Sequence, residues 1–261
     1  MRNVNIGISR LTTGYIGRKG TKIVSGDMDG EIHPWRLTCL LGPNGSGKST
    51  LLRTLCRFQD PIAGSIRVGG EELRSISQRR LATIIGVVLT DKLMVSNMTV
   101  RELVEIGRSP YTGFWGKLSP EDQQIIDRAI TMTGIEALAE RQIQTLSDGE
   151  RQKALIAKVI AQETPVIILD EPTAFLDYPS KVELMRLLKR LAQNEGKTVF
   201  LSTHDLELAL QTADDIWLLD NSLGLTSGST KKLCETGDIG RYFNREGITF
   251  DPTQKTFTIR N

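Results

Sequence analysis

The chain has 261 residues, 39% of them hydrophobic and 25% charged, the composition of a globular protein with enough apolar material for a real core. Its 33 basic and 31 acidic residues leave a net charge of only +2, which argues against nucleic acid as a partner held by bulk charge. Cys39, Cys56 and Cys234 are odd in number, far apart and without CxxC or Cys/His spacing; they indicate neither a disulfide framework nor a zinc site and fit a reducing cytosol.

The opening "MRNVNIGISRL" lacks the apolar core of a signal peptide, and no apolar run approaches the ~20 residues of a membrane span. The stretch from Asn3 to Ile32 and "GSIRVGG" near 64–70 read as antiparallel strands. Short apolar runs then alternate with longer periodic segments, as strands and helices do around a mostly parallel sheet. "RLTCLLG", "ATIIGVVL", "PVIILD", "KTVFLSTH" and "DDIWLLD" are the strands, and the near-continuous hydrophobicity of "VIILD" and "TVFLS" predicts burial on both faces. Between Thr99 and Leu146 the strand signal is replaced by helical segments, "TVRELVEIG", "SPEDQQIIDRAITMTG" and "EALAERQ", with Ser119, Pro120 and Asp122 marking a start and Gly134 a stop. "PSKVELMRLLKRLAQNEG" is a further helix, with Pro179 near its start and Gly196 past its end. "ITFDPTQKTFTI" predicts a C-terminal hairpin turning at Asp251-Pro252. The chain shows no repeat, low-complexity run or linker.

Four stretches carry chemistry. "GPNGSGKST", residues 42–50, matches the phosphate loop GxxxxGK[ST] between a buried strand and a helix. Gly42, Gly45 and Gly47 let the backbone curl so that N–H groups point at phosphate oxygens, with Pro43, Asn44 and Ser46 between them. Lys48 supplies a point charge to the β and γ phosphates, Ser49 a hydroxyl to Mg²⁺, and Thr50 closes the motif. "VIILDEPT" puts Asp170 at a strand tip, where a second ligand for Mg²⁺ belongs, and beside it Glu171, able to take a proton from an attacking water. "TLSDGERQK" precedes a helical "ALIAKVIAQ"; Ser147 and Glu150 form a capping-box pattern, either a plain helix start or an anion site. His204 ends the strand "TVFLSTH", a place from which an imidazole could touch the γ-phosphate.

In order and rough spacing, the phosphate loop, "LSDGERQK", "VIILDEPT", "FLD" at 175–177 and "STHD" at 202–205 resemble the ATP-binding subunits of ABC transporters over nearly the whole chain. The resemblance implies an α/β fold over residues 1–261. Its parts are a P-loop NTPase core with a mostly parallel sheet, an N-terminal antiparallel β subdomain, an α-helical subdomain at about 95–150 and a C-terminal hairpin at about 247–260. It implies ATP and Mg²⁺, Tyr15 stacked on adenine, His204 as the switch histidine, and Asp177 facing a second copy. Ser147, Asp148, Gly149 and Glu150 then form the signature that meets the γ-phosphate held by the other copy, each ATP lying between two chains. The partners implied are a polytopic membrane permease and, indirectly, a substrate-binding protein, not nucleic acid. The place implied is peripheral, on the cytoplasmic face of the membrane.

The sequence departs from the family at three positions. Asp148 and Glu150 replace the first Gly and the Gln of Leu-Ser-Gly-Gly-Gln, and two acids repel a triphosphate unless they point away. Thr90 stands where the family has a Gln after "IIGVVL"; its hydroxyl, or Asp91, would meet Mg²⁺ through a water. "GRSPY" and "FWGKLSPED" make the helical segment similar to importer ATPases for iron–siderophore, haem and cobalamin, with Met94, Val95 and Met98 as candidates to line a groove for a permease helix. Two alternatives are a nucleotide-gated module with weak hydrolysis, and a soluble ABC ATPase not tied to transport. The second would be expected to carry a coiled-coil insertion, a second cassette or a basic arm.

Overall fold

The computed structural model describes residues 3–17, 20–89, 97–113 and 116–259. Two long strands, β1 (Ile6–Gly17) and β2 (Gly20–Ile32), open the chain and are followed by β3 (Leu37–Leu41) and α1 (Lys48–Leu55). Next come β4 (Ala63–Val68), the two-residue β5 (Glu71–Glu72), the short α2 (Gln78–Leu81) and β6 (Ile85–Val88). Helices α3 (Val100–Glu105), α4 (Pro120–Thr133) and α5 (Asp148–Ala161) follow as a group. Strand and helix then alternate through β7 (Val166–Asp170), α6 (Tyr178–Gln193), β8 (Thr198–Ser202), α7 (Leu206–Thr212) and β9 (Asp215–Asp220). The chain ends with β10 (Gly224–Ser229), α8 (Thr230–Glu235), α9 (Asp238–Phe243) and the hairpin β11 (Ile248–Asp251) and β12 (Thr256–Ile259).

The main sheet has the order β10-β9-β3-β8-β7-β6; its neighbours run parallel except β10, which pairs antiparallel with β9. Every residue of β3, β7 and β8 is buried, so their unbroken apolar runs reflect a sheet covered on both faces. A separate antiparallel sheet, β2-β1-β4-β5, covers one face together with α1. Between them Phe200 meets Trp217 edge-on at 5.2 Å, and Gly30 makes room for that indole, which a Cβ there would approach to 2.9 Å. The other face is closed by α3 to α6.

Sequence-read helix ends hold at α4 and α6. Ser119 and Asp122 form a full capping box, Gly134 ends α4 at φ 66°, and Asp177 caps α6 with Pro179 in its first turn. "EALAERQ" differs: only Glu136–Leu138 form a 3₁₀ turn. Its carbonyls are used elsewhere, Ala139 O accepting from Arg101 N and Arg141 O from Val100 N, which satisfies the start of α3. Met98, read as a groove residue, is partly buried against the main core, and its carbonyl accepts from Ile143 N. Thr90, Asp91, Met94, Val95 and Trp115 lie outside the described residues. Among the described residues no helix is long and apolar enough to cross a membrane, and all three cysteines are buried and free.

Candidate functional site

Strand β3 delivers the chain to Gly42, where a Cβ would sit 2.1 Å from the Leu219 carbonyl oxygen. Gly45 and Gly47 follow at φ 80° and 99°, and a side chain at Gly47 would strike Ser25 Oγ at 2.6 Å. Ser25 Oγ donates to Ser46 O at 2.9 Å and braces the loop from β2. Helix α1 therefore starts from a left-handed glycine with no side-chain cap and no acid in its first turn. Its orphan N–H groups and positive dipole end are left for an anion.

Lys48, 5% exposed, donates through Nζ to Gly42 O at 2.8 Å and Pro43 O at 3.1 Å. Burial pulls its ammonium below the ordinary lysine value, while Glu171 and Asp170 act the other way. Parallel register sets Asp170 of β7 opposite Ser202 of β8. Asp170 Oδ1 accepts from Ser202 Oγ at 2.6 Å and from Ser49 Oγ at 3.2 Å, while Glu171 N donates to Ser202 Oγ at 2.9 Å. Glu171 has φ 49°, an uncommon backbone state for a non-glycine residue, and its Oε1 lies 2.6 Å from His204 Nε2. A carboxylate only accepts, so this bond requires the imidazole proton on Nε2.

This arrangement fits a nucleotide and a hard cation. The cavity, 290 Å³, is lined by Tyr15, Val24, Asn44, Gly45, Gly47, Lys48, Ser49, Thr50 and Glu171. Ser49 and Asp170 present oxygen donors suited to Mg²⁺. No group of three or more His, Cys, Asp or Glu able to hold a metal occurs among the described residues. Tyr15, half exposed on β1, is held by its hydroxyl 3.1 Å from Thr50 Oγ1, which leaves the ring at the cavity mouth.

The signature residues are absent from that lining. Ser147 caps α5, and its N–H and hydroxyl reach Glu150 Oε2 at 2.8 and 2.9 Å. Asp148 turns to Arg151 at 3.0 Å. A Cβ at Gly149 would come within 3.3 Å of Leu176, so this helix start lies against the segment before Asp177. Asp177 is exposed and accepts from Ser180 N at 3.0 Å, and nearby Phe175 is 84% exposed at φ 65°.

The family model for ABC transporter matches residues 26–174. The chain is 36% identical over 249 residues to the iron(3+)-hydroxamate import ATP-binding protein FhuC of Bacillus subtilis, covering 95% of this chain and 91% of that one. It is 35% identical over 242 residues to the ferric enterobactin transport ATP-binding protein FepC of Escherichia coli, covering 93% and 88%. The chain belongs to the ABC transporter family. Among solved structures, a metal-chelate type ABC transporter in an inward-facing conformation matches this ABC cassette with a TM-score of 0.78 at 26% identity, over 98% of this chain and 95% of the other. A dimeric ATP-binding cassette holding ADP and phosphate after hydrolysis matches at 0.76 and 25% identity, over 86% and 98%. The cassette is an ATP-binding ATPase, with the fold its sequence predicted.

Sequence reasoning missed Ser202 and Ser25. Ser202 joins the Asp170 carboxylate to the Glu171 backbone N–H through cross-strand register, and Ser25 braces the loop from another sheet, relations one chain's motif spacing does not encode. It also missed Arg141 and Arg151, the counter-charges of the signature acids.

Proposed function

We propose that this cassette is the peripheral ATPase subunit of an importer for iron chelates such as siderophores, working at the cytoplasmic face of a polytopic permease served by a substrate-binding protein. The 261 residues act as one ABC domain with a helical subdomain. Two copies close on two ATPs. Tyr15 stacks on adenine, the loop Gly42 to Thr50 holds the phosphates, and Ser49 and Asp170 would hold Mg²⁺, with Thr90 in a supporting role. Mg²⁺, when bound, would neutralise the charge that develops on the phosphates. Glu171 accepts the proton of the water that attacks the γ-phosphorus as the bond to the leaving ADP oxygen breaks. His204 holds Glu171 in place and reaches the γ-phosphate; Ser147, Gly149 and Asp177 come from the other copy.

The convergence of Lys48, Asp170, Glu171 and His204 at one end of the sheet, with Ser147 absent from the lining of the cavity that Lys48 and Glu171 line, is the observation behind this assignment. The names of the relatives support chelate transport: hydroxamate and enterobactin are ferric ligands. A second possibility, weak hydrolysis with nucleotide acting as a gate, draws on the self-capped start of α5.

The deciding experiment is Glu171→Gln. Turnover is expected to fall by about a hundredfold or more, and the protein should elute as a dimer only with MgATP. In a strain whose own copy is deleted, wild type should restore ferric-chelate uptake and Glu171→Gln should not. Restoration by the variant would overturn the catalytic role, and unchanged uptake on deletion would overturn the transport role.

A further inference from the structure

The start of α5 already holds an anion of its own. Ser147 N and Ser147 Oγ both donate to Glu150 Oε2, at 2.8 and 2.9 Å, while Glu150 N donates back to Ser147 Oγ at 3.3 Å. A serine hydroxyl carries one proton, so a hydroxyl donating to Glu150 cannot donate to a phosphate oxygen. The carboxylate also places a full negative charge at the end of the helix that a partner-held triphosphate must approach. Asp148 adds little to this competition, because its carboxylate is turned to Arg151.

Glu150 has somewhere else to go. Its second oxygen, Oε1, lies 3.9 Å from Arg141 Nη1, and Arg141 is fixed beside the cap by Nη2 donating to Thr145 O at 2.8 Å. Building on the two-copy site above, we propose that Glu150 competes with the partner-held γ-phosphate for Ser147, so that ATP closes the dimer only as this carboxylate swings from Ser147 to Arg141. Bonds from Ser147 hold the Glu150 carboxyl below the ordinary range, so it stays ionised at neutral pH. The device sets the reach of the signature: it keeps the cassette open until the gain from docking the γ-phosphate exceeds the cost of undoing the cap. A neutral Gln at this position can still accept from Ser147 N, as capping boxes with Gln do, but it brings no charge.

The test uses the full chain in the Glu171→Gln background, with sedimentation velocity in MgATP giving the dimer dissociation constant. Adding Glu150→Gln should lower that constant about tenfold at low ionic strength, with the gap shrinking in ~0.5 M salt as the repulsion is screened. Arg141→Ala should raise it about threefold, because the displaced carboxylate loses its counter-charge. Glu150→Ala, which removes charge and cap together, should tighten pairing in the same direction as Gln; melting temperatures of both variants report whether α5 is intact. Equal or weaker pairing after Glu150→Gln, or opposite effects of Gln and Ala, would overturn the competition. Pairing that appears only once Glu150 is neutralised would support it in its strongest form. If no variant pairs in MgATP, the two-copy site fails, and the competition with it; pairing by the Glu171→Gln parent with no response to Glu150 removes the competition alone.

Discussion

Helices α1 and α5 both begin where an anion would be welcome, and the chain finishes the two ends in opposite ways. At α1 the cap is Gly47, the first turn carries no acid, and Lys48 donates to the Gly42 and Pro43 carbonyls in the field of Asp170 and Glu171. At α5 the cap is Ser147, two acids occupy the first turn, and each already has a partner within the chain. A bare helix end inside a cavity is stable only when something charged comes to it, so α1 is built around its ligand. An exposed end must survive in water until a ligand arrives, and α5 does so by capping itself. On the two-copy reading proposed above, the contrast is that of two half-sites, one copy completing its own phosphate cradle and leaving the other half for a second copy.

Removing the cation from the bare end should have the largest effect. Lys48→Ala removes the ammonium that offsets phosphate charge beside Asp170 and Glu171, and ATP affinity or turnover should drop by at least about a hundredfold. Nucleotide titration and a phosphate-release assay check it; wild-type values for both would break the distinction between the two helix starts.

Blocking the capped end should have a different effect, because it should act only in pairs. Ser147→Arg places a bulky side chain at the start of α5 and should abolish ATP-dependent pairing in the Glu171→Gln background while each P-loop still binds nucleotide. Mixing sharpens the comparison. Ser147→Arg and Lys48→Ala subunits each spoil both sites of their own homodimer, but a mixed pair keeps one composite site. In the Glu171→Gln background, pairing recovered only on mixing would put the two helix starts in one site across two chains. Pairing by the Ser147→Arg, Glu171→Gln protein alone would reduce α5 to an ordinary capped helix.

The bare end was far more legible in the sequence than its surroundings. "GPNGSGKST" and the buried runs before Gly42 and Asp170 encode strand, loop and helix through local chemistry: glycine where φ must be positive, apolar residues where both faces are covered. The Tyr15–Thr50 bond spans 35 residues and the Asp170–Ser202 bond 32, so both exist only once sheets are assembled and registers set. "EALAERQ" misled for a related reason: its composition favours helix, but its carbonyls are claimed by the first N–H groups of α3. At "TLSDGERQK" the pattern announced the capping box, but the direction in which each acid points, toward Arg151 for Asp148 and toward Ser147 for Glu150, is a tertiary result.

The smallest expected effects separate a cap that can open from one that cannot. Helix α4 starts with the same device as α5: Ser119 N and Oγ donate to Asp122 Oδ2 at 2.9 and 2.8 Å. Its acid, however, is also gripped by Arg108, which is 5% exposed and donates to Asp122 at 2.8 Å, to Ala161 O at 2.8 Å and to Glu163 at 3.0 Å. Asp122→Asn would leave that buried guanidinium with Glu163 but without the Asp122 charge and should destabilise the chain by about 1–3 kcal/mol, whereas Glu150→Gln should cost under about 1 kcal/mol. Urea unfolding with an unchanged slope measures both. The pH dependence has a definite sign. Hydrogen bonds from Ser119, with the Arg108 guanidinium, hold the Asp122 carboxyl at about 2 against an ordinary 3.8, so its contribution is complete above pH ~4 and is lost as the pH falls toward 2. Wild type should therefore lose stability across that window more steeply than Asp122→Asn, which has no such proton to take up. Parallel curves for the two proteins would mean that the α4 cap is no more tightly held than the exposed one on α5.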